Sequence, residues 1–212
     1  MLYNFLGPME VYKMKKIIFP MIVALLSGCT TLPTSSECLL RGDGYFKDGK
    51  PTQALKMYNR AIALNPTNLE AYASRGTVHF FQGHYDLAEA DFVHILKANP
   101  YQVDAYTAYA STLAAKGDFQ NALSLLNVAL RLNPSKPEIF FSRAGVYFML
   151  GQFKQAITDY TSVINLFPAA DVYNARGATY LKMGEKEKAQ ADFDKAKEGG
   201  IPEKLNVYSM ID

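Results

Sequence analysis

Residues 69–102 read LEAYASRGTVHFFQGHYDLAEADFVHILKANPYQ, and this sequence contains one complete copy of a pattern that recurs along the chain. Apolar and small residues recur at steps of three and four on both sides of Gly83, which indicates two amphipathic helices joined by a short turn. Pro100 ends the second helix because proline lacks an amide hydrogen and clashes with the preceding turn. Asn99 comes directly before it, and we expect Asn99 to end the helix in a left-handed conformation.

The same pattern returns along the chain with a period of 34 residues, shortened once to 33. Its turn glycine recurs at Gly49, Gly83, Gly117, Gly151 and Gly184. A helix pair of this kind buries its apolar surface fully only when a neighbouring pair stacks on it. The period therefore predicts five stacked repeats, at residues 35–68, 69–102, 103–136, 137–169 and 170–203.

These residues resemble the signature of the tetratricopeptide repeat, which runs Trp-x2-Leu-Gly-x2-Tyr, then Ala-x3-Phe, then Pro. Repeats two, four and five match it with Tyr72/Gly76/Ala88/Phe92/Pro100, Phe140/Ala144/Tyr147/Ala156/Tyr160/Pro168 and Tyr173/Gly177/Tyr180/Ala189/Phe193. Repeat three is looser, and repeat one places Cys38 at the large aromatic position. The resemblance implies an all-α, right-handed α-solenoid of five helix-turn-helix repeats. In this family small residues at Gly76 and its equivalents let the paired helices approach closely.

Both ends of the repeat array carry helix signals. Thr34 and Glu37 form the pattern of a capping box for the first helix. Ile201, Leu205 and Tyr208 fall on one face of a short C-terminal helix, whose last part is residues 204–212. This helix is expected to cover the apolar flank of repeat five, as solenoids need for solubility.

Residues 1–28 have the character of a secretion signal. Ten apolar residues follow Lys15 and Lys16 and lead to the sequence Leu-Ser-Gly-Cys, which ends at Cys29. This ending resembles the lipobox of bacterial lipoproteins, in which the cysteine is lipidated and becomes the mature N-terminus. We expect translation to start at Met14, and Cys29 to be the lipidation site, with residues 29–34 as a short tether. The alternative is an ordinary buried apolar helix.

Composition and charge argue against a nucleic-acid-binding protein. The 212 residues carry 22 Lys and Arg against 20 Asp and Glu, with 49% hydrophobic residues, an ordinary globular balance. Residues 1–28 hold three lysines and one glutamate, so the rest has 19 basic and 19 acidic side chains. A nucleic-acid-binding domain is expected to carry a basic surplus, which is missing here.

The sequence offers little for catalysis, cofactors or metals. Phosphate-binding loops, His-Glu-x-x-His helices and Gly-x-Ser-x-Gly elbows are missing from it. His79, His84 and His94 occupy different positions of their repeat, so we expect no shared metal site. Cys38 is expected to be a buried free thiol. The sequence therefore predicts a protein without enzymatic activity and without cofactors.

Arginine and aspartate recur together at one spacing. Arg75, Arg143 and Arg176 are each followed 16 residues later by an aspartate, whereas repeat three has Tyr109 and Leu125 at these positions. This joint presence and absence predicts an ion pair between the two helices of a repeat, with repeat one as an exception that has Arg41 but Met57. The alternative is an arginine that only covers apolar surface with its alkyl stem.

The first helix of each repeat carries a further set of residues at steps of three, four and three, which we call the stripe. In the tetratricopeptide family these positions line the concave groove that binds peptides. The stripe comprises Ser36, Leu39, Asp43 and Phe46; Glu70, Ala73, Thr77 and Phe80; Asp104, Thr107, Ser111 and Ala114; Glu138, Phe141, Gly145 and Phe148; and Asp171, Asn174, Ala178 and Leu181.

Ten members of the stripe are the candidate peptide-binding residues. Five are apolar and five acidic: Phe46, Phe80, Phe141, Phe148 and Leu181, with Asp43, Glu70, Asp104, Glu138 and Asp171. The stripe contains no Lys or Arg, so we expect it to prefer an apolar peptide with basic residues. In the alternative interpretation, the rings pack against neighbouring repeats and the acids complement the helix dipoles.

Together these features predict a membrane-anchored, non-catalytic adaptor or scaffold in the bacterial cell envelope. Its expected partners are a protein or peptide in the groove and the membrane, through lipid on Cys29, but no nucleic acid. Thr30 in place of aspartate points to the outer membrane, facing the periplasm. One open alternative is a pilotin-like assembly factor for a type IV or Flp pilus or a secretion system. Another is a glycan-binding enzyme accessory, which ranks last because the stripe has no Trp or Tyr.

Overall fold

The computed structural model describes residues 33–200. The predicted signal peptide, Cys29 and the predicted C-terminal helix lie outside the described residues. The chain forms two compact units, the first ending at Ala71 and the second beginning at Tyr72.

Residues 33–200 form ten α-helices, and no β-strand occurs in this part of the chain. In chain order they are α1 (Ser35–Lys47), α2 (Pro51–Leu64), α3 (Leu69–Phe81), α4 (Tyr85–Ala98), α5 (Val103–Ala115), α6 (Phe119–Leu132), α7 (Pro137–Met149), α8 (Phe153–Leu166), α9 (Ala170–Lys182) and α10 (Lys186–Glu198). Each consecutive pair lies within one predicted repeat. The predicted fold class, an all-α helical repeat solenoid, is confirmed. None of these ten helices combines the length and hydropathy that crossing a bilayer requires.

The turn between the two helices of a repeat depends on glycine. Gly83 has a φ of +75°, in the left-handed region that other residues rarely adopt. Its N–H donates to the carbonyl of Phe80 at 3.0 Å, and the next N–H, of His84, donates to that of His79 at 2.9 Å. These bonds satisfy carbonyls that the end of α3 leaves unpaired. The same conformation occurs at Gly49, Gly117, Gly151 and Gly184.

The end of the second helix differs from the sequence expectation. Asn99 is extended, with φ −139° and ψ 94°, so the predicted left-handed conformation is wrong. Its Oδ1 instead accepts the N–H of Tyr101 at 3.1 Å, and Asn133 accepts the N–H of Ser135 in the same way. A short side-chain acceptor therefore turns the chain, as asparagine often does in loops. Phe167 takes this position in repeat four and has no such acceptor.

The first unit shows the predicted start of α1. The N–H of Glu37 donates to Thr34 Oγ1 at 3.2 Å, and the N–H of Thr34 donates to Glu37 Oε2 at 2.8 Å. This confirms the capping box. Cys38, in the first turn of α1, is a buried free thiol, as predicted.

Small residues set the distance between paired helices. A Cβ at Gly177 would lie 2.8 Å from Phe193 Cε1 and 3.1 Å from the carbonyl oxygen of Ala189. A Cβ at Gly42, in the first unit, would lie 2.4 Å from Tyr58 Cε1. These separations are shorter than normal carbon contacts, so glycine permits the observed approach. The expected close packing at these signature positions is confirmed.

The predicted arginine–aspartate pairs are confirmed in repeats two, four and five. Arg143 donates Nε to Asp159 Oδ2 at 2.7 Å and Nη2 to Asp159 Oδ1 at 2.8 Å. Its Nη1 also donates to Asn127 Oδ1 of α6, in the preceding repeat, at 2.8 Å. Hydrogen bonding to Asp159 raises the pKa of Arg143. The guanidinium also lies near the rings of Phe140 and Tyr147, 5.8 and 5.6 Å from their centroids.

The pairs of repeats two and five have the same two-bond geometry. Arg75 donates to Asp91 at 2.9 and 2.6 Å, and Arg176 donates to Asp192 at 2.8 Å twice. Arg176 further donates Nη1 to Thr161 Oγ1 of α8 at 2.9 Å. In repeats four and five one side chain thus joins the two helices of its repeat and reaches the preceding repeat.

Repeat three connects to repeat two by a different polar network. Tyr109 replaces the arginine, and its hydroxyl donates to Glu89 Oε1 at 2.9 Å. Lys116 Nζ donates to Glu89 Oε2 at 2.7 Å and to Asp86 Oδ1 at 2.8 Å. Desolvation by burial, with the bond to Glu89, raises the pKa of Tyr109. Charge at this junction is therefore held nearer to solvent than in repeats four and five.

Candidate functional site

Stripe residues of the second unit lie on α5, α7 and α9 and on the part of α3 that follows Ala71. Their spacing of three and four residues keeps them on one face of each helix. Most are exposed or half-buried, but Ala178 is buried. In the first unit Leu39 is also buried, Phe46 is half-buried, and Asp43 accepts the Tyr58 hydroxyl at 2.8 Å.

Two of the candidate aromatic residues pack against the start of the second helix of their own repeat. Phe80 is half-buried, and its ring centroid lies 5.7 Å from that of Tyr85 at the start of α4. Phe148 is likewise half-buried, 5.6 Å from Phe153 at the start of α8. Each ring therefore helps to hold the turn of its repeat and presents only part of its surface to solvent.

Phe141 and Leu181 present more of their surface. Phe141 is 37% exposed and packs edge-on against Tyr160, 5.7 Å away, while Leu181 is 41% exposed. Edge-on packing on Tyr160 fixes the orientation of the Phe141 ring and leaves its outer surface available. Of the five apolar candidates, these two expose the largest apolar surface.

Sequence reasoning missed two exposed apolar side chains on the same face. Phe81 is 71% exposed and Met149 is 63% exposed. Met149 follows Glu138 by 11 residues, which is three helical turns and about 20° at 3.6 residues per turn, so it lies on the stripe face. The spacing alone could have revealed both residues, since each comes directly after the last stripe member.

Gly145 leaves a gap in the middle of α7. No atom of residues 33–200, its own helix and chain neighbours apart, lies within 4 Å of the position that a Cβ would occupy. Phe141 precedes Gly145 by four residues and Phe148 follows it by three. The stripe of repeat four therefore has a small unfilled space at Gly145, between the rings of Phe141 and Phe148.

The acidic candidates are in different environments. Asp104 forms an ion pair with Lys136, which neutralises its charge, and Asp171 Oδ1 accepts the N–H of Val172 at 3.0 Å. Glu138 is exposed in the first turn of α7. Glu70 is exposed at the start of α3, in the first unit. Three acidic candidates belong to the second unit. Lys136 offsets the charge of Asp104, but it does not pair with Glu138 or Asp171.

The histidines do not converge on a metal-binding geometry. His79 and His84 have ring centroids 6.0 Å apart, and His94 stacks on Tyr72 at 4.0 Å. Within residues 33–200 no group of three potential ligands is close enough to hold a metal ion. Burial lowers the pKa of His79 below its ordinary value of 6.5, and Arg75 acts in the same direction against the opposing charge of Asp91.

Family models match most of the described chain. Models described as TPR repeat or tetratricopeptide repeat match residues 42–83, 73–137, 138–170 and 170–198. Among curated proteins, none matches the sequence.

Several solved structures are similar to this chain. TTC0263, a thermophilic TPR protein in Thermus thermophilus, has a TM-score of 0.73 and 23% identity, covering 83% of this chain and 96% of its own. YrrB, described as a TPR protein with an unusual peptide-binding site, has a TM-score of 0.61 and 23% identity. The match covers 82% of this chain and 90% of YrrB. MamA 41-end from Desulfovibrio magneticus RS-1 has a TM-score of 0.67 and 18% identity. The match covers 77% of this chain and 93% of that MamA chain. At these identities the similarity concerns the fold.

Proposed function

Because the chain belongs to the tetratricopeptide repeat family, we propose that it is a non-catalytic adaptor that binds a protein segment on the stripe of its second unit. The observation that carries this proposal is the exposed apolar surface of Phe141, Met149 and Leu181 beside the unfilled space at Gly145. YrrB, a structure of similar fold, is described as having a peptide-binding site, which supports the same kind of role.

The stripe of repeat four has the properties of a binding anchor. A few buried aromatic residues usually supply most of the affinity of a protein interface. The Phe141 ring is held by Tyr160, so little side-chain freedom is lost when a partner covers it. The gap at Gly145 gives an incoming side chain room to contact the helix backbone. A partner segment therefore has both a rigid apolar contact and a space to fill.

The proposed location follows from the sequence before residue 33. The lipobox-like sequence ending at Cys29 supports a lipid-anchored protein in the bacterial cell envelope, and Thr30 favours the outer membrane facing the periplasm. Stable anchoring of this kind requires more than one acyl chain. Residues 30–34 allow a reach of no more than about 18 Å between the lipid and the first helix. The adaptor would thus keep its partner close to a membrane surface.

A lysine at position 145 tests the binding surface. Gly145→Lys fills the gap between Phe141 and Phe148, so we expect it to block partner binding. Gly44→Lys is the matched control, since Gly44 is also helical and its Cβ position is equally open within the described residues. The added Cβ atom meets no neighbouring residue within 4 Å at either position, and replacing glycine stabilises a helix by about 0.5–1 kcal/mol.

The measurement is chemical crosslinking in cells with the natural N-terminus intact, followed by identification of the proteins joined to each variant. A protein captured by the wild type and by Gly44→Lys, but lost with Gly145→Lys, supports the proposal. Identical captured proteins from both lysine variants would contradict it, provided that both variants keep the wild-type helical content.

A further inference from the structure

The stripe face of α9 carries opposite charges at its two ends. Asp171 lies in the first turn and Lys182 is the last residue of the helix. They are 11 residues apart, which places them on the same face and separates them by about 16 Å at 1.5 Å per residue. Leu181 lies beside Lys182, so one end of the face is acidic and the other end is both apolar and basic.

Helix α7 continues this arrangement in repeat four. Glu138 occupies the same position as Asp171, and Met149 occupies that of Lys182. Both helices contribute to one apolar core through Ala144 of α7 and Val172 of α9, so they belong to the same packed body. Two acids thus lie at one end of the face, Phe141 follows Glu138 by about one turn, and Met149, Leu181 and Lys182 lie at the other end.

Within residues 33–200, the charges at the two ends remain available to a partner. Glu185, the acid nearest to Lys182 in the following turn, already pairs with Lys188 at 3.1 Å. Asp171 uses Oδ1 for the N–H of Val172, which leaves Oδ2 for a further donor. Both ends also favour the dipole of α9, so charge alone does not define a partner. The exposed apolar surface of Phe141, Met149 and Leu181 along the face is what makes it a docking surface.

We propose that this face binds a bipolar segment, with basic residues at one end, an acidic group at the other end and apolar residues along its length. This inference rests on the proposed function and specifies its partner. The segment spans about 16 Å, which corresponds to about 11 residues of helix or about five residues of extended chain. Its basic end lies against Glu138 and Asp171, and its acidic end lies against Lys182. The two charged ends fix the direction in which the segment lies along α7 and α9.

Three synthetic peptides with one apolar centre test this proposal on the purified full chain. The first carries two lysines at one end and two aspartates at the other, the second carries lysines at both ends, and the third carries aspartates at both ends. Fluorescence anisotropy measures the affinity of each. Exposed ion pairs each contribute a few-fold, so we expect the bipolar peptide to bind about 3- to 10-fold more tightly than either of the others. Added salt should reduce this preference.

Charge reversal at Lys182 provides the decisive comparison. Lys182→Glu should move the preference to the peptide with lysines at both ends. Lys97→Glu is the matched control, because Lys97 is also exposed in the last turn of a helix but lies on α4, away from the stripe. We expect this control to keep the wild-type order of affinities.

Equal affinities for the three peptides, or an order that Lys182→Glu leaves unchanged, would overturn the bipolar partner. Failure of all three peptides to bind would overturn it too, while the crosslinking comparison of Gly145→Lys with Gly44→Lys still decides the proposed function. If Gly145→Lys weakens all three peptides equally and charge has no effect, the surface binds apolar segments without a preferred direction.

Discussion

Replacing Arg143 by tyrosine is expected to destabilise repeat four strongly, because the change leaves a buried carboxylate without its counterion. Asp159 has only 5% of its side chain exposed and accepts two hydrogen bonds from Arg143, at 2.7 and 2.8 Å. Arg143→Tyr removes both bonds and the opposite charge. Breaking a buried ion pair from one side costs about 3–5 kcal/mol.

Repeat three shows which second substitution should compensate. It has Tyr109 and Leu125 at the two positions, and Leu125 packs against an apolar core cluster. Arg143→Tyr combined with Asp159→Leu removes both charges together, so we expect most of the lost stability to return. The interaction energy of the double-mutant cycle should then be at least about 2 kcal/mol, well above the value for independent sites.

Thermal unfolding followed by circular dichroism provides the measurement. For a chain of this size a loss of about 3–5 kcal/mol lowers the Tm by roughly 6–20 °C. We expect this shift for Arg143→Tyr and a much smaller one for the double variant. If the two single effects simply add in the double variant, the prediction is wrong, since the unpaired charge of Asp159 would then not be the source of the lost stability.

Three further predictions concern other parts of the chain. The pKa of His79 is lowered in the fold, so the unfolded chain binds more protons and stability should fall below the ordinary pKa of 6.5; His79→Tyr should reduce the Tm loss between about pH 7.5 and pH 5.5. Gly177→Ala should cost about 1–3 kcal/mol in urea unfolding, because its Cβ would lie 2.8 Å from Phe193. Cys29→Ala should leave the precursor uncleaved and reduce membrane retention, which fractionation and immunoblotting would show.

Most of the fold could be predicted because the repeat period specifies equivalent positions. The period predicts the position of each turn glycine and each Arg–Asp pair without reference to neighbouring repeats, because these contacts lie within one repeat. The conformation of Asn99 was predicted wrongly. The Oδ1 atom of Asn99 accepts the N–H of Tyr101, and this local hydrogen bond competes with the left-handed backbone conformation. Sequence position alone does not show which of the two arrangements wins.

The candidate site was less predictable, because exposure depends on what packs beneath each side chain. Phe80 and Phe141 look equivalent as apolar members of the stripe, yet Phe80 lies against Tyr85 at a turn whereas Phe141 keeps much of its surface in solvent. The pairing of Asp104 with Lys136 likewise depends on a contact between α5 and the loop that joins α6 to α7. Such contacts follow from three-dimensional packing and not from the repeat pattern.

Photo-crosslinking in cells from single positions tests most directly whether the stripe binds a protein partner. A photo-reactive phenylalanine analogue at position 141 replaces a ring by a similar ring on the stripe, and the same analogue at position 87 replaces another exposed apolar side chain on α4. We predict that position 141 forms an adduct with a protein partner and that position 87 does not. An adduct from position 87 with none from position 141 would contradict the proposed binding surface.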